Sequence, residues 1–248
     1  MVNCGSLQVL LLLAFAMCFA KSEFPNDPKP CKHGDVKCLE GIINYIAKEK
    51  FGGYESLNLP AFDPIKIGKM SIKQDSDSPV NIDLTFTNNE ISGLRTSKFA
   101  NIKGFGKDIS TTHELVVKSE NLYLAGDYKI SGKVLLLPIS GTGKHKITLV
   151  EPTVKMTCLG VPNEKNGETH MKLDKCFIDL EPKKIIFNFE NLLNDKSLGD
   201  TMNQFLTDNW KEVFGEIRTS LGKGLGAEAQ KVLQRVFDKH PYAKLFAD

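Results

Sequence analysis

The feature that most constrains the fold of this chain is a strict two-residue alternation of apolar and polar side chains in its first half. From Val80 to Thr87 every second residue is Val, Ile, Leu or Phe, and the residues between them are Asn, Asp or Thr. Successive side chains of a β-strand point to opposite faces, so this run predicts a strand with one buried face. Similar apolar positions begin at Ile65 and recur as far as Leu149, including a run through Val134 and Leu136. The middle of the chain therefore predicts a series of antiparallel strands.

Helical periodicity flanks these strands on both sides. Asp35 can cap a short helix that buries one apolar stripe, formed by Val36, Leu39, Ile42, Ile43 and Ile46. Toward the C-terminus, Ser197–Asp200 resembles the start of a helix with a broad apolar face, formed by Met202, Phe205, Leu206, Val213, Phe214, Ile217 and Leu221. We expect the glycines between Gly222 and Gly226 to interrupt or bend this helix before a second one that ends at His240–Pro241. Without a repeat or a low-complexity linker, this order predicts one α+β domain.

The N-terminal residues have the composition of a targeting segment. Residues 1–20 lack Lys, Arg, Asp and Glu, and Leu7–Ala16 is a short apolar run that is followed by small residues. This is typical of a cleaved signal peptide, and the run is too short for a membrane-spanning helix. We therefore expect residues 21–248 to form a single secreted, extracellular domain without stable membrane insertion.

Four cysteines, Cys31, Cys38, Cys158 and Cys176, lie beyond the predicted cleavage site. An even number in an exported chain predicts two disulfides, and short sequence separation favours Cys31–Cys38 and Cys158–Cys176 among the three possible connectivities. The rival interpretation is a metal site that includes Cys31, His33 and Cys38. A fourth ligand at the usual zinc spacing is missing, so we expect no bound metal.

Strand register provides a check on the second pair. If Cys158 and Cys176 face each other in a hairpin, its centre falls at Gly167, inside a segment of Asn, Gly and charged residues that is typical of turns. The same register pairs Met156 with Ile178, so the bridge is expected on an apolar face of the hairpin.

The sequence carries no recognisable catalytic motif. Gly-x-Ser-x-Gly does not occur, and the five histidines show no ligand-like spacing. We therefore expect neither an enzyme nor a cofactor. The net charge is only +2, and the Lys and Arg residues are spread along the chain, which argues against a nucleic-acid partner.

Several segments together resemble the takeout and juvenile hormone binding protein family of insects. The resemblance covers residues 24–246 in the order of the family, and its motifs are Cys31-(x6)-Cys38, Gly53–Pro64, Gly126–Gly143, Asn203–Trp210 and Pro241–Phe246. It implies a tubular lipid-binding super-roll, in which a long curved antiparallel sheet wraps around a long C-terminal helix, preceded by a short N-terminal helix that a disulfide staples. The resemblance also assigns the family's first disulfide to Cys31 and Cys38.

The resemblance implies a monomeric carrier that holds a small hydrophobic ligand, such as a terpenoid hormone or a fatty acid, in an apolar tunnel. The residues expected to line it are Ile82, Leu84, Phe86, Leu115, Val117, Leu136, Phe187, Phe205, Phe214 and Ile217, each weighed against a role in a filled core. Tyr123 and Tyr128 could each offer a hydroxyl group to a polar end of the ligand, but packing on the surface or in the interior is the favoured role for both. The alternatives are a lipid-surface-active or odorant-binding interaction protein of the same fold, and a hydrolase acting on the bound lipid.

Overall fold

A computed structural model describes residues 28–73 and 79–247 of the chain. The described residues form ten strands and three α-helices. The predicted signal peptide lies outside the described residues. The helices and strands are, in chain order, α1 Val36–Glu49, β1 Ile65–Ile67, β2 Met70–Lys73, β3 Val80–Ser92, β4 Lys98–Lys103, β5 Thr112–Lys118, β6 Asn121–Val134, β7 Leu137–Val150, β8 Thr153–Lys165, β9 Glu168–Glu181, β10 Lys184–Phe189, α2 Lys196–Asp208 and α3 Trp210–Lys239.

The strands form two antiparallel sheets. The first has the order β1-β3-β6-β7-β10, with β2 also paired to β3, and the second has the order β4-β5-β8-β9. Links of two residues carry the chain between the sheets, at 119–120, 151–152 and 182–183. Helix α3 packs chiefly on β9 and also contacts β2, β3 and β10. The predicted α+β fold, long antiparallel strands wrapped around a long C-terminal helix, is therefore confirmed, with the strands divided between two sheets.

The alternation that predicted β3 also places its side chains correctly. Ile82, Leu84 and Phe86 are buried, and Leu84 and Phe86 lie opposite Ile130 and Tyr128 of β6. This face of the first sheet holds the main apolar core.

The strand predicted through Val134 and Leu136 ends at Val134. Leu135 and Leu136 form a two-residue turn between β6 and β7, and Leu135 has a φ of 55°. A left-handed residue in a turn is usually Gly, Asn or Asp. Because the turn contains none of these residues, the sequence pattern of the apolar run Val134–Leu137 predicts a strand that continues through it.

Both predicted disulfides are present, with Cα atoms 5.7 Å apart in Cys31–Cys38 and 4.1 Å apart in Cys158–Cys176. Strands β8 and β9 form the expected hairpin, and Met156 lies opposite Ile178. The turn itself is Asn166-Gly167, between the paired residues Lys165 and Glu168. A bulge beside Cys158 shifts the pairing of β8 with β9 by one residue between the two sides of Cys158. Counting residues outward from the turn does not reveal this shift.

Of the two effects expected of the glycines in the last helix, an interruption does not occur. Helix α3 is unbroken through Gly222 and Gly226, and the boundary with α2 lies at Asn209. A Cβ atom on Gly222 would lie 2.4 Å from the carbonyl oxygen of Ile178, and one on Gly226 would lie 2.3 Å from that of Cys176. These glycines let the helix backbone approach β9 closely.

The start of α2 also differs from the prediction. The capping residue is Asp195, whose carboxylate accepts a hydrogen bond from the backbone N–H of Leu198, and the helix begins at Lys196. A carboxylate at this position satisfies one of the free N–H groups of the first turn. At α1 the predicted cap is confirmed, because Asp35 accepts from the N–H of Cys38.

Helical amide side chains cover the outer edges of both sheets. Asn44 of α1 donates to the carbonyl oxygen of Phe99 on β4 (2.7 Å) and accepts from its N–H (3.0 Å). Asn203 of α2 makes the same pair of bonds with Phe189 on β10, both at 2.9 Å. Each amide thus replaces the neighbouring strand that an edge lacks.

The remaining edge of the second sheet, β9, is covered in the same way by α3. Gln234 accepts from the N–H of Leu173 (2.8 Å) and donates to the carbonyl oxygen of Met171 (3.0 Å). Gln230 donates to the carbonyl oxygen of Leu173 (2.7 Å). These bonds fix the three helices against sheet edges and so define the space that the helices enclose.

Candidate functional site

The apolar interior between the inner face of the first sheet, strand β9 and helices α2 and α3 is the candidate binding site. Most of the residues predicted to line a ligand are found in or against this cluster: Ile82, Leu84, Phe86, Phe187, Phe205, Phe214 and Ile217. The sequence therefore brought together residues from β3, β10, α2 and α3 that are distant in the chain.

Three predicted lining residues lie elsewhere. Leu115 and Val117 belong to a separate cluster beneath α1, with Phe62 and Phe99. Leu136 lies in the turn between β6 and β7 and is 93% exposed, so its prediction as a lining residue is wrong. The physical reason is the turn at Leu135 and Leu136, which removes this side chain from the alternation of the strand.

The interior has a tightly packed part and an accessible part. Ile82, Leu84 and Phe86 are almost completely buried and behave as core. A further set of apolar side chains packs against this core but remains partly accessible. We call the members of this set that lie on strands β6 to β9 and on helices α2 and α3 the accessible rim: Leu124, Ile147 and Leu149 of the first sheet, Val154 and Ile178 of the second sheet, and Phe205, Trp210 and Leu221 of the helices.

The accessible rim is where an apolar ligand would gain most from contact with the protein. Apolar area that a ligand removes from water contributes about 25 cal/mol per Å². Residues already buried, such as Phe86, offer none of this gain. Within the rim, Leu124 lies directly opposite Ile147, and Ile147 also lies opposite Phe187 on β10.

Sequence reasoning missed most of the rim as ligand-lining residues. The alternation correctly indicated that Leu124, Ile147 and Leu149 face inward, but it treats every inward residue alike. Whether a helix covers such a residue depends on how α2 and α3 dock. The one available signal was Trp210, the single tryptophan of the sequence, beside the predicted helix face.

A buried polar pair, His145 and Asn89, lies in the main core. The side chain of Asn89 donates from Nδ2 to the carbonyl oxygen of Gly68 (3.2 Å), which can only accept. Its Oδ1 atom therefore faces Nε2 of His145, at 3.2 Å. Because an amide oxygen accepts, Nε2 carries the proton and Nδ1 of the neutral ring is an acceptor.

The surroundings keep this imidazole neutral. His145 is 3% exposed, and its ring centroid lies 4.5 Å from that of Phe86 and 6.0 Å from that of Phe189. Burial lowers the pKa of His145 to about 4, although nearby Asp127 acts in the opposite direction. Among the described residues, Nδ1 of His145 has no hydrogen-bond partner.

The two tyrosines weighed as ligand contacts have other partners. Tyr128 is buried and donates its hydroxyl to the carbonyl oxygen of Glu190 (2.6 Å). Burial raises the pKa of Tyr128 to about 12, so the hydroxyl stays protonated. Tyr123 lies beneath the ammonium group of Lys146, 4.8 Å from the ring centroid. Both tyrosines therefore have packing partners within the protein, which is the role that the sequence favoured for them.

Two clefts also open at the surface. One, of about 490 Å³, lies between β10 and α2 and is lined by residues 186–191 together with Asp195, Lys196, Gly199, Asp200, Asn203, Gln204 and Thr207. The other, of about 420 Å³, lies beside α1 and β4 and is lined by Val36, Glu40, Asn101, Ile102, Lys103, Glu114, Val116 and Lys155. Both are rich in polar and charged side chains, and neither is the apolar interior.

The described residues also define what other sites the chain can offer. Within residues 28–73 and 79–247, no group of three or more His, Cys, Asp or Glu side chains is placed to hold a metal ion. In the same ranges, none of the helices combines the length and apolar character that crossing a membrane requires.

Antiparallel sheets wrapped around a long C-terminal helix, with an apolar interior, define the tubular lipid-binding class of folds. The structure matches the crystal structure of Takeout 1 from Epiphyas postvittana with a TM-score of 0.74 and 22% sequence identity, over 88% of this chain and 99% of that one. The family model described as haemolymph juvenile hormone binding protein matches residues 9–247, and the chain belongs to this family. The resemblance seen in the sequence motifs is thereby confirmed.

Two curated relatives have nearly the same length. The circadian clock-controlled protein daywake of Drosophila melanogaster is 25% identical over 243 residues, which cover 95% of this chain and 94% of the relative. The daywake protein of Drosophila yakuba is 23% identical over 233 residues, which cover 92% and 90%. The family is one of binding proteins rather than enzymes.

Proposed function

We propose that this protein is a secreted carrier that binds a small hydrophobic ligand without covalent chemistry at the accessible rim. The observation that carries the proposal is the rim itself, a set of apolar side chains on both sheets and both C-terminal helices that remains partly accessible beside a packed core. The name of the family supports it, since that name describes a binding protein of the haemolymph. Two disulfides and the predicted signal peptide support secretion.

The burial of an apolar chain is sufficient for useful affinity. Each buried methylene contributes about 0.8 kcal/mol, so ten methylenes give roughly 8 kcal/mol before the ordering costs of the ligand. A dissociation constant of about 1 μM is therefore the limit for ten methylenes, and a longer apolar chain offsets the ordering costs. A charged anchor is therefore not required, and the shape of the interior determines which apolar ligands fit.

The decisive experiment identifies the ligand and then blocks its site. The full chain is expressed by secretion, and native mass spectrometry followed by extraction identifies any lipid that purifies with it. Displacement of the fluorescent apolar probe N-phenyl-1-naphthylamine then measures affinity. Substitution Ile147→Trp fills the rim and should abolish probe binding.

A matched control lies on the neighbouring strand. Ile186 of β10 is 41% exposed and lies opposite Thr148, next to Ile147 in the chain, so its side chain is on the outer face. Substitution Ile186→Trp adds the same group and should leave probe binding unchanged. Equal affinity of wild type and Ile147→Trp would contradict the proposed site, and absence of any apolar ligand or probe binding would contradict the carrier function.

We expect the protein to release its ligand unchanged. Incubation with a radiolabelled long-chain ester should leave the ester intact, which the membership in a family of binding proteins supports. Product formed in excess over protein would establish the alternative, a hydrolase.

A second candidate function is contact with a lipid surface, and one observation favours it. The turn between β6 and β7 exposes Leu136 almost completely and Leu137 by 40%, at the tip of a long hairpin. Contiguous exposed apolar surface marks sites where proteins meet membranes or partners, and these two leucines are adjacent at the tip. Flotation with neutral phosphatidylcholine vesicles tests this function: wild type should float, and Leu136→Ser should remain in solution with unchanged probe binding.

A further inference from the structure

The hydrogen bonds that the described residues make around His145 leave one of its ring nitrogens without a partner. Gly68 fixes the orientation of the Asn89 amide, and that amide fixes the proton of His145 on Nε2. Nδ1 is consequently an acceptor that needs a donor, and no group of the described residues supplies one. Buried acceptors in folded proteins nearly always have a partner, because an unsatisfied buried polar group is unfavourable.

The position of His145 connects it to the accessible rim. Ile147 and Leu149 of the rim follow His145 along β7 and point to the same face, because they are two and four residues further on. The side chain of Ile147 is therefore about 7 Å from that of His145 along the strand. Opposite His145 on β6 is Gly126, where a Cβ atom would lie 2.7 Å from Oδ1 of Asn89, so the absence of a side chain lets the Asn89 amide pack closely beside the ring.

We infer that His145 selects ligands that carry a hydroxyl group, by accepting a hydrogen bond from the ligand at Nδ1. This inference rests on the proposed carrier function and names the chemical class of its ligand. A chain that lies over Leu149 and Ile147 brings its end to His145, where an alcohol can donate. An ester or ether has no proton to donate, and an ionised carboxylate would place a second acceptor against Nδ1.

Two probes that differ in this one property test the inference. They are 1-dodecanol and dodecyl methyl ether, compared by displacement of N-phenyl-1-naphthylamine from the full chain. Wild type should bind the alcohol about tenfold more tightly, as expected for one hydrogen bond to a buried acceptor. His145→Phe keeps an aromatic ring among Phe86 and Phe189 but has no acceptor, so it should bind both probes equally.

A control substitution removes a histidine outside the interior. His33 stacks on Phe246, with ring centroids 4.1 Å apart, and its Nδ1 atom already contacts the carbonyl oxygen of Gly106. His33→Phe should retain the preference for the alcohol. Loss of the preference in this variant, or its survival in His145→Phe, would overturn the assignment to His145.

A measurement on the wild type makes the test independent of variant folding. The nitrogen NMR signal of His145 Nδ1 should move when 1-dodecanol is added and stay in place when the ether is added. Equal binding of both probes to wild type, or an Nδ1 signal that neither probe moves, would show that the ligand does not use this acceptor. In that case the carrier function stands, whereas failure of both probes to bind would refute the carrier function itself.

Discussion

At the scale of single residues, His145 shows how a side chain in an apolar core can be fixed in one protonation state. Its neighbours are aromatic rings, and its only polar contact among the described residues is the amide oxygen of Asn89. Such an environment disfavours the charged ring, because desolvation is not compensated by an acceptor for a second proton. The imidazole is therefore a neutral part of the core at physiological pH.

The low pKa of His145 predicts a specific dependence of stability on pH. Its pKa is about 4 in the folded protein against 6.5 in the reference state, so the unfolded chain binds the proton more readily between these values. Stability from this group is complete above pH 6.5 and declines as pH falls toward 4, by about 3 kcal/mol in total. His113 and His240 are shifted in the same direction by burial and add to the decline.

Urea denaturation at pH 7, 6, 5 and 4 checks this prediction. The free energy of unfolding should fall more steeply in wild type than in His145→Phe, and the difference between the two curves should reach about 3 kcal/mol at pH 4. Other groups titrate in both proteins and cancel in the comparison. Parallel curves would show that His145 is not buried as described.

At the scale of helices, α3 carries glycines with opposite roles. A Cβ atom on Gly226 would meet the backbone of Cys176 at 2.3 Å, whereas one on Gly215 would meet nothing within 4 Å. Gly226→Ala should therefore destabilise the protein by about 1–3 kcal/mol through overpacking. Gly215→Ala should stabilise it by about 0.5–1 kcal/mol, since alanine favours the helix.

Thermal and urea unfolding of the two alanine variants measure this contrast. The pair is matched because both substitutions lie on the same helix and add the same methyl group. If Gly226→Ala were as stable as Gly215→Ala, the close approach of α3 and β9 would be contradicted.

The amide contacts at sheet edges predict a second effect at this scale. Asn203→Leu keeps the size of the side chain but removes both bonds to the backbone of Phe189. A loss of about 1–3 kcal/mol is expected, because a backbone donor and acceptor are left without partners. Gln204→Leu is the control: its side chain is exposed and contacts Asp208, so its effect should be within about 0.5 kcal/mol in urea denaturation. Equal losses in both variants would contradict the role of Asn203.

These elements also show how far the sequence can be read. Alternation predicted β3, and the Asn-Gly pair predicted the turn of the β8–β9 hairpin, because local chemistry determines both. The turn at Leu135 and Leu136 escaped prediction, since neighbouring strands impose its left-handed backbone. The role of Gly226 could not be predicted, because the backbone of β9 that requires a glycine there is distant in the sequence. The sequence also does not predict the amide contacts at the sheet edges or the accessibility of Ile147, because both depend on how the helices dock.

At the scale of the whole molecule, the accessible rim spans both sheets and both C-terminal helices. Its residues lie on β6 and β7 of the first sheet, on β8 and β9 of the second, and on both C-terminal helices. A ligand held there contacts several of these elements at once. Such a ligand adds contacts between the two sheets to those that the main core and helix α3 already make.

Ligand binding should consequently stabilise both sheets and not a single element. At a ligand concentration one hundred times the dissociation constant, a carrier gains about 2.7 kcal/mol, which raises the unfolding temperature by about 5–10 °C for a chain of this size. Hydrogen exchange with 1-dodecanol present should show slower exchange in β7, in β9 and in α3 together. In Ile147→Trp the same addition should change neither the unfolding temperature nor the exchange. Protection confined to the first sheet would show that Val154 and Ile178 take no part in holding the ligand, which would contradict a site formed by the whole rim.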